Sequence, residues 1–208
     1  MKTHSKSVIR AAYNSIGGVV YVGAVMLMIA GVQAAFAEVA YSVTGLGTLG
    51  GSSSYAYGIN NSGQVVGYST TSFNQTHACI YSGGSMTDLG TLFGSWSQAY
   101  AINDQGQVVG GSDGRAFLYS GGKMNNLGML GTIDSCAYGI NNIGQVVGFT
   151  SIPGGAYHGF IKGSGPMTDL GTWGTGSGAN AINNSGQVVG GYITASGAYG
   201  AYSAAVEL

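Results

Sequence analysis

The acidic side chains are the residues whose type could support hydrolysis, because paired carboxylates are the usual machinery of glycan cleavage. The 208-residue chain contains only seven Asp and Glu residues. Asp88 and Asp169 occupy equivalent positions of a repeated sequence, in which the third copy has Asn126. A catalytic pair needs two carboxylates in different environments, whereas Asp or Asn before Leu-Gly is typical of a turn. The sequence therefore favours turn chemistry for these residues.

Two further aspartates, Asp104 and Asp113, also lie in predicted turns. An enzyme alternative stays open, in which the protein is a carbohydrate-active propeller whose few Asp residues converge at one rim. Loss of activity on substitution of Asp113 or Asp134 would be the signature of that alternative.

Histidines and glycines show no pattern that predicts a metal or a cofactor. His77 and His158 are repeat-equivalent, so no His cluster has the spacing of a metal site. The Asn-rich turns present oxygens to calcium but carry too few carboxylates to hold the ion tightly. No phosphate-cradling G-x-x-x-x-G-K loop is present. The sequence predicts no catalytic residue, no cofactor and no metal.

Aromatic side chains are the feature through which this sequence could bind a ligand. Trp96 and Phe93 lie in the loop FGSWS, and Trp96 stands opposite small residues of the other repeats. An exposed Trp can stack on the apolar face of a sugar or a peptide. We therefore predict Trp96 and Phe93 as candidate ligand contacts. Trp173 occupies a position at which the other repeats have leucine, so it is predicted to belong to the core.

The two cysteines, Cys79 and Cys136, occupy different positions of non-adjacent repeats. A disulfide suits an exported protein, but a bridge requires Cα atoms within about 7 Å. In a ring of four repeats the two residues would lie on opposite sides. We predict two free, partly buried thiols, with a disulfide as the alternative.

An eleven-residue motif, AINDQGQVVGG and its relatives, occurs four times and defines the organisation of the chain. The second Asn or Asp of an Asx pair and a following Gly are typical of a tight hairpin turn. We predict structural turn residues at Asn60, Asn103, Asn141, Asn183, Gly63, Gly106, Gly144 and Gly186. The asparagines are 43, 38 and 42 residues apart, and a period near 40 predicts a modular fold.

The residues beside each turn alternate as in β-strands. Tyr100 and Ile102 alternate with small residues, which predicts that both side chains lie on one buried face. Val108 and Val109 begin the return strand and are adjacent, which predicts apolar surroundings on both faces of the sheet. The motif is therefore interpreted as a β-hairpin and not as a working site.

The repeat length predicts an all-β fold of up to four strands per unit, most consistent with a small four-bladed β-propeller. The repeats are placed at residues 40–85, 86–123, 124–166 and 167–208. Both ends of the array lie at the same phase of the repeat, which predicts that the last strand pairs beside the first and closes the ring. An open β-solenoid, or a fragment of a longer array, is the alternative.

The stretch MTDLGTLFGSWSQAYAINDQGQVVGGSDGRAFLYSGG resembles the HAF-type bacterial extracellular repeat, a family named for a His-Ala-Phe tripeptide. The resemblance covers essentially all of the chain after residue 37 and implies a secreted repeat protein without catalytic residues to carry over. The corresponding tripeptides are placed at His77-Ala78-Cys79, Arg115-Ala116-Phe117, His158-Gly159-Phe160 and Tyr199-Gly200-Ala201.

The first 37 residues have the pattern of a signal peptide. Lys2, Lys6 and Arg10 precede an uncharged apolar run that ends in Ala-Phe-Ala. An uncleaved membrane anchor is the alternative, since about 20 apolar residues can span a bilayer. We predict a cleaved leader, residues 1–37, and a single exported domain, residues 38–208, with no membrane span.

Charge and composition limit the partners. The net charge is −1 and 6% of the residues are charged, so there is no basic surface for nucleic acid. We predict a non-catalytic, exported β-repeat protein that recognises a glycan, an envelope component or another protein through its surface loops. A carbohydrate-active enzyme and a purely structural passenger of a surface protein are the alternatives.

Overall fold

The computed structural model describes residues 41–172 and 174–205, and the described residues from Gly45 onward form one compact unit. The predicted leader, residues 1–37, and Trp173 lie outside the described residues. The strands are β1 (Gly50–Ile59), β2 (Val65–Thr71), β3 (Thr76–Ser82), β4 (Ser85–Gly90), β5 (Ser97–Ile102), β6 (Val108–Ser112), β7 (Arg115–Ser120), β8 (Lys123–Gly128), β9 (Ser135–Ile140), β10 (Val146–Ser151), β11 (Tyr157–Lys162), β12 (Thr168–Asp169), β13 (Gly176–Ile182), β14 (Gln187–Ile193) and β15 (Tyr199–Ala205).

These strands form four antiparallel sheets, each built from consecutive strands. Sheet 1 contains β1 to β4, sheet 2 contains β5 to β8, sheet 3 contains β9 to β12, and sheet 4 contains β13 to β15. The prediction of an all-β chain of four repeats is confirmed. The strand that carries the MTDLG sequence, β4, is the last strand of sheet 1. The prediction from sequence places this segment at the start of the second repeat, so each sheet is displaced by one strand from the predicted repeat boundaries.

The hairpin turn has the same geometry in every sheet. In sheet 2, the amide of Asn103 donates to the carbonyl of Gln107 at 3.1 Å, and the amide of Gly106 donates back to the carbonyl of Asn103 at 3.0 Å. Gly106 has φ 74°, a left-handed conformation that a side chain would strain. The equivalent glycines have φ 74° at Gly63, 80° at Gly144 and 78° at Gly186.

A β-bulge interrupts the first strand of each sheet. In β5 the register shifts between Ala99 and Ala101, so Tyr100 lacks a partner on β6. Ala99 and Ile102 face the core, whereas Tyr100 is half-buried and contacts other rings. The prediction that Tyr100 and Ile102 share one buried face is wrong, because the extra residue resets the two-residue alternation. The same shift falls at Tyr57, Tyr138 and Asn180.

The core lies between consecutive sheets and not inside any one of them. Val66 of sheet 1 and Val108 of sheet 2 share one apolar cluster, and Val109 of sheet 2 shares the next cluster with Val146 of sheet 3. Val108 and Val109 are both fully buried. Adjacent valines therefore do face apolar surroundings on both sides of the sheet, as their sequence indicated. Burial of one such side chain contributes about 1.5–3 kcal/mol.

The four sheets pack in chain order and the stack is open. Sheet 1 packs on sheet 2, sheet 2 on sheet 3 and sheet 3 on sheet 4, but the described strands of sheets 1 and 4 share no extensive contact. The predicted pairing of the last strand beside the first is wrong: β15 pairs with β14, and β1 pairs with β2. β1 is an edge strand of sheet 1 and β15 is an edge strand of sheet 4, but among the described residues no hydrogen bonds join the two sheets, because short hairpins build each sheet from its own consecutive strands. The open arrangement is the alternative that the sequence allowed.

The register of β15 also corrects the last of the four tripeptides. Tyr202 pairs with Gly190 as Phe117 pairs with Gly110. The residues equivalent to Arg115-Ala116-Phe117 are therefore 200–202, one position later than the sequence placed them. The error arose because β15 has no basic or imidazole side chain to mark the start of the tripeptide.

Candidate functional site

Seven aromatic side chains form a continuous series of ring contacts across sheets 1 to 3. We call this series the aromatic row, and its members in order of contact are Tyr55, Tyr68, Tyr57, Tyr100, Tyr138, Phe149 and Tyr157. Successive ring centroids are 4.9 to 5.8 Å apart. Such distances are typical of favourable aromatic pairs, each of which contributes about 0.5–1.5 kcal/mol beyond its area burial.

The bulges explain why the row exists. Tyr57, Tyr100 and Tyr138 are the bulged residues of β1, β5 and β9, which contact one another as neighbouring first strands. Each bulge turns its tyrosine out of the alternating pattern, so the three rings meet instead of entering the inter-sheet cores. Sheet 4 has Asn180 at this position, and the row continues through Phe149 of β10 instead.

The row is open to solvent at both ends and closed in the middle. Tyr55 is 57% exposed and Tyr57 is 50% exposed, and Tyr157 at the other end is 38% exposed. Tyr100 and Tyr138 are half-buried, and this burial raises the pKa of both phenols, so they stay protonated hydrogen-bond donors at neutral pH. The surface therefore offers flat apolar rings beside neutral hydroxyl groups.

A hydrogen bond holds the central Tyr100, and a carboxylate lies near the terminal Tyr157. The Tyr100 hydroxyl donates to Gln98 Oε1 at 2.8 Å. Burial and the nearby Asp134 carboxylate raise the pKa of Tyr157. The bond to Gln98 restricts the orientation of the Tyr100 ring.

A second repeated feature, the amide ladder, joins the hairpin turns of neighbouring sheets. Its members are Asn60, Asn103, Asn141 and Asn183. The Nδ2 of Asn60 donates to the backbone carbonyl of Asn103 at 3.0 Å. In the same way, the Nδ2 of Asn103 donates to the carbonyl of Asn141 at 3.1 Å, and the Nδ2 of Asn141 donates to the carbonyl of Asn183 at 3.0 Å. Each Oδ1 accepts an amide of its own turn. The predicted turn residues thus also connect the sheets, a contact that sequence spacing did not reveal.

A polar cavity of about 300 Å³ lies along this ladder. It is lined by the Ile-Asn-Asn or Ile-Asn-Asp segment of each of the four sheets. Asp104 supplies its one carboxylate, which accepts the Asn61 amide, the Asn61 Nδ2 and the Asn142 Nδ2 at 2.8 to 3.0 Å. These bonds lower the pKa of Asp104. Oxygens that already accept three N–H groups hold neighbouring turns together, so the cavity is not arranged as a cation site.

Trp96 and Phe93 lie in a loop apart from the aromatic row. Trp96 is 38% exposed and Phe93 is 73% exposed. The loop is held by Asp113, whose carboxylate accepts the amides of Gly94 at 2.8 Å and Trp96 at 3.3 Å. Burial raises the pKa of Asp113, but these hydrogen bonds and one from Ser112 lower it by more, and the net pKa is lowered. Asp113 therefore acts as a loop anchor.

The sequence GGSDG, residues 110–114, has the G-x-S-x-G pattern of a nucleophile elbow. An elbow serine sits exposed between a strand and a helix, whereas Ser112 is fully buried at the end of β6 and precedes a hairpin. Its hydroxyl donates to the Trp96 carbonyl at 3.1 Å and accepts the Leu92 amide at 2.9 Å. Thr150 accepts the Leu130 amide at 3.0 Å in the same way, so this position is structural.

The repeat-equivalent acidic residues adopt the predicted turn geometry. Asp88 Oδ1 accepts the amide of Gly90 at 2.7 Å, and Asn126 Oδ1 accepts the equivalent amide at 2.8 Å. The Nδ1 atom of His77 lies 2.8 Å from the Asp88 carboxylate, and His158 lies 2.9 Å from the carboxylate of its own sheet. The described residues contain no group of three or more His, Cys, Asp or Glu side chains that could hold a metal ion.

Cys79 and Cys136 are free and buried, on β3 and β9. Burial and the Asp88 charge raise the pKa of Cys79 to about 11, and burial and Asp134 raise the pKa of Cys136 to about 12. Both thiols are therefore protonated and weakly nucleophilic at neutral pH.

The aromatic row is the feature that sequence reasoning missed. A tyrosine three residues before the turn asparagine occurs in three of the four repeats, at Tyr57, Tyr100 and Tyr138. Strict two-residue alternation predicts core packing for these tyrosines. Allowance for a bulge would have separated the tyrosines from the core isoleucines.

No known protein family matches the chain, and no curated protein is significantly similar to it. Across residues 41–172 and 174–205, no helix has the length and apolar character needed to cross a membrane.

Proposed function

We propose that this protein is a non-catalytic, exported recognition module that binds an extended glycan along the aromatic row. The observation that carries the proposal is the unbroken series of seven rings, exposed at both ends. The C–H faces of sugar rings stack on flat aromatic side chains, and neutral tyrosine hydroxyls can donate to or accept from sugar hydroxyls. A row several rings long favours a polymer over a single sugar.

The scaffold supports this function because it is rigid. The inter-sheet cores and the amide ladder fix the first strands of sheets 1 to 3 relative to one another. Successive rings are thereby held at nearly constant spacing, so a repeating ligand can contact several rings at once. Export and membership of the HAF-type family belong to the same proposal and rest on the leader sequence and the repeat motifs.

The test is a binding titration of the folded protein with soluble linear polysaccharides and peptidoglycan fragments, measured by affinity electrophoresis and calorimetry. Tyr57→Ala removes an exposed ring from the row, and we expect it to weaken binding at least tenfold. Tyr57→Phe keeps the ring and should retain most of the affinity. Tyr199→Ala is the matched control, because Tyr199 is 85% exposed and lies outside the row.

A Trp96→Ala variant separates this site from the loop site predicted by sequence. If Trp96→Ala abolishes binding and Tyr57→Ala does not, the ligand contacts the Trp96 loop and the aromatic row is structural. If no glycan is retained by protein whose fold is verified by circular dichroism, glycan recognition is wrong and the structural passenger becomes the better description.

A further inference from the structure

The three junctions between consecutive sheets are built alike, and the two halves of a fourth such junction stand at the opposite ends of the stack. In each internal junction a ladder asparagine donates to the next ladder carbonyl, and the second valine of one sheet packs near the first valine of the next. Sheet 4 presents the donating half of this arrangement. Sheet 1 presents the accepting half.

The donating half is the C-terminal face, defined by Ala181, Asn183, Gln187, Val189 and Ser203. A cavity of about 340 Å³ opens on it. Val189 is 48% exposed, whereas its equivalents in sheets 1 to 3 are at most 1% exposed. Asn183 is exposed and its Nδ2 donates to Gln187 Oε1, but no described residue supplies the next ladder carbonyl that its three equivalents bind. The face has the chemistry of an inter-sheet junction, and no sheet formed by residues 41–172 and 174–205 covers it.

The accepting half is the N-terminal face, defined by Asn60, Gly63, Val65, Cys79 and Tyr81. Val65 is half-buried, whereas its equivalents in sheets 2 to 4 are at most 1% exposed. A Cβ placed on Gly63 would meet no atom within 4 Å. In contrast, a Cβ on each of the three later turn glycines would lie 3.4 to 3.6 Å from a glutamine Oε1 of the preceding sheet.

The N-terminal face contains a cavity because the side chain of Cys79 is small. Cys79 stands where Phe117, Phe160 and Tyr202 stand in the later sheets. The cavity beside it measures about 170 Å³ and is lined mostly by apolar and aromatic residues, including Leu46 of the segment before β1. An incoming sheet therefore finds room to settle closely on this face.

We propose that the C-terminal face of one copy of this chain packs on the N-terminal face of a second copy, head to tail. In this contact the Nδ2 of Asn183 donates to the carbonyl of Asn60 in the second copy, and Val189 packs against Val65 of that copy. The occupant is a second copy because the two faces continue the inter-sheet interface that the chain already uses three times. A contact between unlike faces leaves one face of each kind free, so assembly proceeds to a closed ring or to a longer array.

Ala181 provides an independent steric argument for this contact. Within the chain, Gly139 approaches Ala181 so closely that a Cβ on Gly139 would lie 3.2 Å from the Ala181 Cα, and a Cβ on Gly58 would lie 3.4 Å from the Ala101 Cα. First strands of neighbouring sheets therefore meet through Gly and Ala. The head-to-tail contact brings Ala181 against Gly58 of the second copy, with alanine in the earlier sheet. The junction of sheets 2 and 3 has this order, since Ala101 packs in the cluster between sheet 2 and sheet 3, the sheet that carries Gly139.

The experiment measures the molar mass of the purified protein, expressed from the full chain, by light scattering and sedimentation between about 1 and 100 µM. We expect mass above that of the monomer, increasing with concentration. Val189→Asp alters a half-exposed residue and should weaken association at least tenfold while the fold, followed by circular dichroism, is kept. Ile143→Asp is the matched control, because Ile143 is 67% exposed and lies in a turn away from both faces.

Mixing two variants tests the polarity of the contact. Val65→Asp disables only the N-terminal face and Val189→Asp only the C-terminal face, so each alone should be monomeric and the mixture should form a one-to-one dimer. Monomeric wild-type protein at 100 µM would overturn the proposal, as would association that Val189→Asp leaves unchanged. If Val65→Asp does not fold, the comparison of molar mass between the Val189→Asp variant and the wild-type protein still tests the proposal.

Discussion

Sheets 3 and 4 carry nearly the same hairpin, GINNIGQVVGF and AINNSGQVVGG, yet their side chains have different environments. In sheet 3, Asn141 is 3% exposed and Val147 is fully buried. In sheet 4, Asn183 is exposed and Val189 is 48% exposed. The hairpin is thus encoded locally, whereas most of its stabilisation depends on the sheet packed on it, as in other repeat proteins.

The largest effect is expected where the repeat allows no side chain at all. A Cβ on Gly148 would overlap the Cys136 carbonyl oxygen across the bulge. Gly148→Ala should therefore reduce the free energy of unfolding by about 3 kcal/mol, measured by urea denaturation. In sheet 4, Gly178→Ala is the control, since its Cβ would meet only Phe149 Cβ at 3.7 Å. Equal losses in the two variants would contradict the bulge geometry.

The valines test the comparison most directly. Val147→Ala leaves a cavity between sheets 3 and 4 and should lower the free energy of unfolding by about 2–3 kcal/mol. Val189→Ala, at the equivalent position of sheet 4, should lower it by less than about 1 kcal/mol. Chemical denaturation at a dilution that keeps the protein monomeric measures both. A loss at Val189 as large as that at Val147 would show that its face is covered within the monomer.

The losses in the free energy of unfolding should differ less between the two ladder asparagines than between the two valines. Asn141→Ala removes the part-buried bond to the Asn183 carbonyl and the bonds within its own turn, and we expect a loss of about 2 kcal/mol. Asn183→Ala removes only the exposed bonds of its turn, with an expected loss of about 1 kcal/mol. The difference between their melting temperatures measures the inter-sheet bond, and identical values would mean that this bond is not stabilising.

The smallest effect concerns pH. Asp104 stands where the other repeats have Asn61, Asn142 and Asn184. Its pKa in the folded state is lowered by the amide bonds from Asn61 and Asn142, so its stabilising contribution is present above the unfolded pKa, about 4. That contribution is lost as the pH falls through the lower folded pKa. Asp104→Asn should therefore weaken the drop in melting temperature below pH 4, and an unchanged acid profile would contradict this assignment.

Particular residues show how far sequence reasoning could reach. The Asx-Gly turns at Asn103 and Gly106 are found as predicted, because turn chemistry is local. The adjacent valines also indicated packing on both faces. The orientation of Tyr100 was missed, because a bulge depends on pairing between two strands and is invisible to a pattern read along one strand. The aromatic row was missed for the same reason.

The sequence by itself determined the strands, the hairpin turns and the four-fold repetition, since these follow from alternation, from Asx-Gly chemistry and from a period near 40 residues. Only the tertiary structure decided which faces are covered, where the tyrosines meet and that the stack stays open. These properties depend on contacts between residues far apart in the chain. Nearly identical motifs therefore acquire different environments from their neighbours, as Val147 and Val189 demonstrate.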